Sequence, residues 1–383
     1  MSGSWMFVQP RRVGRGAALT LVFTGVLLTG VATGAWHGEP GEGDGPPAPG
    51  PVALAGGTVA ERHGSGGHDA LEAVSRSGDR WSAAYTAREY EGLQQALDGA
   101  YVGVGIAVRA RGGPGVEVAR VTGGSPAERA GVRAGDRLRT IDGADVTGLP
   151  VTEVVARLRG DAGPDAAGTS VTVGLSREGR QWREVLERAR LHTEPVTVGR
   201  MEPDTTHLKV TAFTAGSGER LREAVAGTPP GDGILLDLRG NSGGLLQEAT
   251  EAASAFLDGG LVATYGEGDA QHALYAEPGG NTESPLVVLV DGGSMSAAEL
   301  LAGALQDRGR AVVVGSRTFG KGSVQVPQEQ PDGSVAELTV GQYATPAGRT
   351  LEGTGLTPDV TVEGGETARE KARTVLSGLA ART

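Results

Sequence analysis

Two side chains twenty-five positions apart carry the chemistry this chain can do. Ser296 lies in the small-residue run Gly292-Gly293-Ser294-Met295-Ser296-Ala297-Ala298-Glu299, and Lys321 in Phe319-Gly320-Lys321-Gly322. Of the 35 basic residues only Lys209, Lys321 and Lys371 are lysines. In so arginine-rich a sequence each lysine asks what arginine could not do there. An amine loses its proton when desolvated, whereas a guanidinium does not. A neutral lysine can therefore act as general base for a serine hydroxyl, which is a weak nucleophile until its proton is taken. Of the three, Lys209 and Lys371 are the ones expected to tolerate arginine.

These residues need a scaffold that brings strand ends together. From about Val196 to Thr361 apolar strands alternate with helices: Leu208–Phe213, Ser217–Val225, Gly233–Leu238, Leu245–Leu257, Pro285–Val290, Ala297–Gln306 and Ala311–Val314. Continuous apolar strands such as Leu286-Val287-Val288-Leu289-Val290 predict a largely parallel sheet covered on both faces. Ser296 falls after one strand and before a helix, a position where a serine alone reads as an N-cap. Lys321 follows another strand end, with flanking glycines for close backbone approach and Phe319 as an apolar wall. A third turn, Leu238-Arg239-Gly240-Asn241-Ser242-Gly243-Gly244, also ends a strand, and free amides there suit an oxyanion.

The stretch before this sheet has another character. Tyr101-Val102-Gly103-Val104-Gly105-Ile106 leads into short strands at Val116–Val121, Arg137–Ile141 and Val171–Leu175, with helices at Pro126–Ala130 and Val151–Leu158. With Ser125-Pro126-Ala127, Ala130-Gly131, Gly135-Asp136 and Ile141-Asp142-Gly143, this order resembles a PDZ domain over residues 101–180. Inward-pointing amides at Tyr101–Ile106 could hold a chain-terminal carboxylate while the adjacent strand edge pairs with the peptide.

The Ser296 and Lys321 motifs, the Asn-Ser-Gly-Gly turn, Tyr343-Ala344-Thr345-Pro346 and Gly355-Leu356-Thr357-Pro358-Asp359 together resemble the carboxyl-terminal processing, or tail-specific, proteases. The resemblance spans about Asp69 to Val362. It implies an α/β fold: a ClpP/crotonase-like αββ core, an inserted β-rich PDZ domain and a helical N-terminal region. It also implies a serine endopeptidase in which Ser296 is the nucleophile, Lys321 the base and Gln325 the residue orienting that lysine. The amides of Ala297 and Gly243 are then the expected oxyanion hole, and no cofactor or metal is implied. Met295 departs from the usual alanine and bears on local packing. The expected partners are proteins or peptides with accessible C-terminal tails.

Composition narrows the remaining choices. The net charge of −11 argues against nucleic-acid binding, and no cysteine is present to form a disulfide or thiolate. Arg11, Arg12 and Arg15 precede the uncharged, mostly apolar residues 16–36, leaving the remainder at −14. About 21 helical residues reach roughly 30 Å, enough to span a bilayer core. Residues 1–36 are therefore an N-terminal anchor with the N-terminus inside, or a cleaved signal peptide; both put the rest outside the cytoplasm. Residues 37–67 read as a disordered linker, 68–100 as a helical region broken near Ser77-Gly78, 181–365 as the peptidase core and 366–383 as a C-terminal helix without assigned function. The six histidines (His37, His63, His68, His192, His207, His272) lie in tether, linker or loop contexts, which disfavours a histidine-dependent protease. The reading from another class is a catalytically silent, exported PDZ scaffold or chaperone.

Overall fold

The computed structural model describes residues 20–21, 67–110, 115–160, 166–201, 204–267, 270–362 and 365–381. All of the expected linker but Gly67, and all but Thr20–Leu21 of the expected anchor or signal, lie outside these residues. Among the described residues no helix is long and apolar enough to cross a membrane. Thr20–Leu21 itself is extended, paired antiparallel with Gly244–Leu245 on one side and meeting Gln325 on the other.

The larger unit is built on a six-stranded sheet, in the order Val196–Met201, Thr205–Val210, Gly233–Asp237, Leu286–Val290, Val312–Gly315 and Val360–Thr361. The first pair is antiparallel and the other neighbours are parallel. Alternate residues of each strand face opposite sides. Ile234, Leu236, Val288 and Val290 join the core formed with the helices Ser217–Ala226, Leu246–Ser254 and Ala297–Asp307. Leu235, Val287 and Leu289 instead pack on Ala368, Ala372 and Leu376. The C-terminal helix Gly365–Ala380 thus covers the back of the sheet, a structural task its mixed sequence did not disclose.

A second sheet carries the Ser323–Glu329 and Val335–Ala344 hairpin, continued by Gly260–Glu267 and Ala270–Ala276. The N-terminal region docks here. Its helices His68–Ser77 and Ala87–Leu97 are separated by more than the expected short break, because Ala83–Tyr85 is a strand paired with Val335–Glu337. Asp79 fixes this connection by accepting bonds from the Trp81 amide (3.2 Å), Ser82 Oγ (2.8 Å) and Thr339 Oγ1 (2.5 Å).

The PDZ-like unit has its own six-stranded antiparallel sheet and its own core, with Val118, Val154, Val171 and Val173 fully buried. The chain enters through Ala100–Gly103 and leaves through Ala189–His192, which pair antiparallel. The last strand of the sheet, Arg180–Glu187, runs beyond the expected boundary at 180. Its turn has positive φ at both Glu178 (49°) and Gly179 (84°), which suits a tight two-residue hairpin.

Candidate functional site

Ser296 ends the turn that follows the Leu286–Val290 strand. Its backbone, at φ 54° and ψ −115°, is sparsely populated for a residue with a Cβ, and such strain persists only where surroundings enforce it. Here they do. The Ser296 amide donates to Glu299 Oε2 at 2.9 Å, and Tyr343 Oη donates to the Ser296 carbonyl at 3.1 Å. The Met295 amide reaches the Asn241 carbonyl at 2.9 Å, and Ser294 Oγ donates to the Leu238 carbonyl at 2.9 Å, tying the turn to the Asn-Ser-Gly-Gly segment. Ser296 occupies the N-cap position, yet its buried Oγ has no hydrogen-bond partner, so the capping interaction runs only from Glu299 back to the backbone.

Glu299 also holds the lysine loop. Its Oε2 accepts the Lys321 amide at 2.9 Å, and its Oε1 accepts the Gly320 amide at 2.8 Å and Thr318 Oγ1 at 2.5 Å. One buried carboxylate thus clamps the Ser296 turn to the Lys321 loop. Burial pushes its pKa up despite the bonds from Thr318 and the amides of Lys321, Ser296 and Gly320. Sequence reasoning quoted Glu299 within the serine motif and gave it no role; its spacing of three residues after Ser296 was the available signal.

Lys321 is 2 % exposed, and burial pulls its pKa down to about 8 against the opposing charges of Glu337, Glu352 and Asp79. The wall over its amine is Trp81, whose ring centroid lies 5.3 Å from Nζ. Phe319, expected in that role, is 47 % exposed and packs instead on Trp81, with the ring centroids 5.8 Å apart. Trp81 is held by Nε1 donating to Glu352 Oε1 at 2.7 Å, and Glu352 Oε2 accepts the Gly322 amide at 2.9 Å. Trp81 falls within residues 68–100, expected to be helical, but lies just ahead of the strand Ala83–Tyr85.

Gln325 is buried beside these groups. Its Nε2 donates to Ser323 Oγ (2.8 Å) and Thr339 Oγ1 (3.1 Å), while its Oε1 has no partner and so makes no bond to Lys321. Gly243 lies against the serine turn: a Cβ there would stand 3.0 Å from both the Met295 carbonyl oxygen and Ser296 Cβ. Its amide donates to Asn241 Oδ1 at 2.8 Å, so in this state that donor is engaged within its own turn. Ala297 begins the helix immediately after Ser296 and is fully buried.

The expected peptide-binding run divides in two. Tyr101, Val102 and Gly103 pair with Ala189–Leu191, whereas Val104 and Gly105 accept amides from Ala127 (3.0 Å) and Thr122 (2.9 Å). Ile106 opens the strand Ile106–Ala110, which forms one end of the PDZ-like sheet. The guanidinium of Arg159, from the helix Val151–Arg159, lies 5.8 Å from the Tyr101 ring centroid.

Lys209, expected from sequence to tolerate arginine, is held in a partly buried ion pair. Its Nζ donates to Asp237 Oδ1 at 3.2 Å and to the Arg239 carbonyl, beside the bond from Arg239 Nη2 to Asp237 Oδ2 at 2.6 Å. Burial would raise the Asp237 pKa, but the bond from Arg239, His207 Nε2 lying 3.5 Å away and the charge of Lys209 hold it far below the usual carboxylate range. Lys371 remains exposed.

A serine on a strained strand-to-helix turn, clamped to a buried lysine by a shared carboxylate, has the parts needed for acyl transfer. Comparison with known proteins identifies the family. Residues 204–362 match the family model of peptidase family S41 and residues 93–174 that of the PDZ domain. The carboxy-terminal-processing protease of Bartonella bacilliformis is 34% identical over 306 residues, covering 77% of this chain and 69% of that one. The chloroplastic carboxyl-terminal-processing peptidase 3 of Arabidopsis thaliana is 34% identical over 307 residues, covering 75% and 58%. A solved structure of the photosystem II D1 C-terminal processing protease is 29% identical, with a TM-score of 0.49, over 76% of this chain and 80% of that one. The chain belongs to peptidase family S41, the carboxyl-terminal processing proteases.

Proposed function

We propose that the protein is an exported serine endopeptidase that cleaves polypeptides through Ser296 and Lys321, with substrates presented by C-terminal tails bound to the PDZ unit. The observation that carries this reading is the Glu299 clamp, which holds the Ser296 and Lys321 amides on one oxygen atom at 2.9 Å each. Neutral Lys321 takes the Ser296 proton as Oγ attacks the peptide carbonyl. The resulting oxyanion is received by the amides of Ala297 and Gly243, the latter after releasing Asn241 Oδ1. Lysinium then protonates the leaving amine, and water hydrolyses the acyl-enzyme. Gln325 Oε1, buried and without a partner, is available to orient the lysine as it engages Ser296.

Ser296 Oγ has no hydrogen-bond partner and the Gly243 amide is engaged, so attack on this reading requires both to rearrange. Export is supported by the three arginines ahead of the apolar residues 16–36, which serve as an anchor or a cleaved signal. The division into a PDZ domain from 101 and a core ending at 365 is part of the same proposal, with the expected boundary at 180 moved to about 187 because Arg180–Glu187 pairs within the PDZ sheet.

Incubating the full chain with an unstructured peptide ending in an apolar tail, with and without Ser296→Ala, tests this reading. Cleavage abolished by the substitution supports it. Peptide binding without cleavage by the unsubstituted chain would instead identify a silent scaffold.

A further inference from the structure

The charges of three carboxylates, Glu337, Glu352 and Asp79, act on the buried amine of Lys321, and two of them, Asp79 and Glu352, bond to the Trp81 that covers it. Two have other commitments. Asp79 accepts the Trp81 amide, Ser82 Oγ and Thr339 Oγ1, and Glu352 accepts Arg80, Trp81 Nε1 and the Gly322 amide. Glu337 differs. It is 1 % exposed, and its buried Oε1 has no hydrogen-bond partner. It lies in the middle of a three-stranded patch, opposite Ala83 on one side and Pro327 on the other. Two residues along the same strand, and therefore on the same face, Thr339 meets Gln325 and Asp79. Tyr90 is the other titratable group facing Glu337, its hydroxyl bonded by Gln94 Nε2 at 2.7 Å, with Glu329 acting on Tyr90 from the same side.

A buried carboxylate with a vacant acceptor is costly unless a cation or a proton offsets it. Lys321 is the cation that acts on it. We propose that Glu337 is a positioning residue for Lys321: it sets the pH at which the amine becomes a free base and stabilises the lysinium formed when Ser296 gives up its proton. The balance is simple. The proton leaves Ser296 Oγ, arrives on Lys321 Nζ, where the charge of Glu337 favours it, and departs with the leaving amine. Burial pushes the pKa of Glu337 up to about 7, with Lys321 pulling against it, so the two groups exchange charge in the same range. This inference rests on Lys321 being the base, as proposed above.

The test is the pH profile of kcat/KM for the full chain carrying Glu337→Gln. Removing the negative charge disfavours lysinium, so the amine deprotonates at lower pH. The acid limb should move down by about one pH unit or more, the size expected for loss of a close opposite charge, and the plateau kcat should fall. An acid limb unchanged from the unsubstituted chain overturns the proposal. Because the coupling is reciprocal, Lys321→Met must raise the pH at which one glutamate carboxyl titrates, read by NMR of chains carrying 13C-labelled glutamate. This arm needs neither activity nor any change at Glu337. Failure to see any carboxyl move would also overturn the proposal. If Lys321→Arg kept full activity, the lysine-base reading would fail instead, so the two failures are distinguishable.

Discussion

Replacing Glu299 by glutamine should loosen the site more than any other isosteric change. The carboxylate accepts four bonds, two at each oxygen, from the Ser296 and Lys321 amides and from Gly320 and Thr318. An amide must turn its NH2 toward one of these pairs. Facing Oε2's donors, it orphans both the Ser296 and Lys321 amides. Facing Oε1's, it orphans Gly320, although the Thr318 hydroxyl can turn to accept. The second choice is cheaper, so one buried N–H is left unpaired at about 1–3 kcal/mol and the remaining bonds lose charge assistance. Relief from burying a charge offsets part of this, leaving a net loss of about 3 kcal/mol. For a core of this size that corresponds to roughly 6–12 °C in the melting midpoint. Calorimetry or circular dichroism of the full chain, with Ser296→Ala in both samples to prevent self-cleavage, measures it. In the Ser296 background, kcat should fall about 100-fold, as expected when reacting groups are misplaced by about 1 Å. A melting midpoint within about 2 °C of the parent together with unchanged kcat would refute the clamp.

Two further perturbations follow. The base must be neutral to act, and the Lys321 pKa is pulled down to about 8, so kcat/KM should rise with pH up to about 8 and level off above it. Trp81→Ala should carry that limb to higher pH, because water reaching Nζ restores the charged form, whereas Trp81→Phe should leave it near its original position; no movement with alanine would remove Trp81 from the site. Gly244→Ala should abolish activity and destabilise the core, since its φ is 138° and a Cβ there would lie 2.2 Å from the Phe213 carbonyl oxygen. A soluble, active Gly244→Ala chain would show that the turn has another available conformation.

What sequence disclosed was what local pattern can carry. The runs Leu286–Val290 and Gly233–Leu238 read as doubly covered strands because both faces are buried, and the structure places helices on each side. Ser296 and Lys321 stood out because each follows a strand end among glycines. Features that depend on tertiary contact stayed hidden. Trp81 fitted a helical period, although it follows a helix break and reaches the lysine from the N-terminal region. Arg180–Glu187 carries polar residues on its exposed side, so only the hairpin turn marks it as a strand. Lys209 gave no sign of the Asp237 and Arg239 partners that hold it.

The central claim is that Lys321 acts as a neutral base, and a lysine-to-arginine exchange tests it most directly. Lys321→Arg keeps the positive charge but substitutes a group that cannot give up its proton. Peptide cleavage by the full chain should fall by about 10²–10⁴-fold, the usual contribution of a general base. Lys371→Arg, on the exposed face of the C-terminal helix, should stay within about twofold and serves as the control. A Lys321→Arg chain that cleaves as fast as the parent would contradict the account.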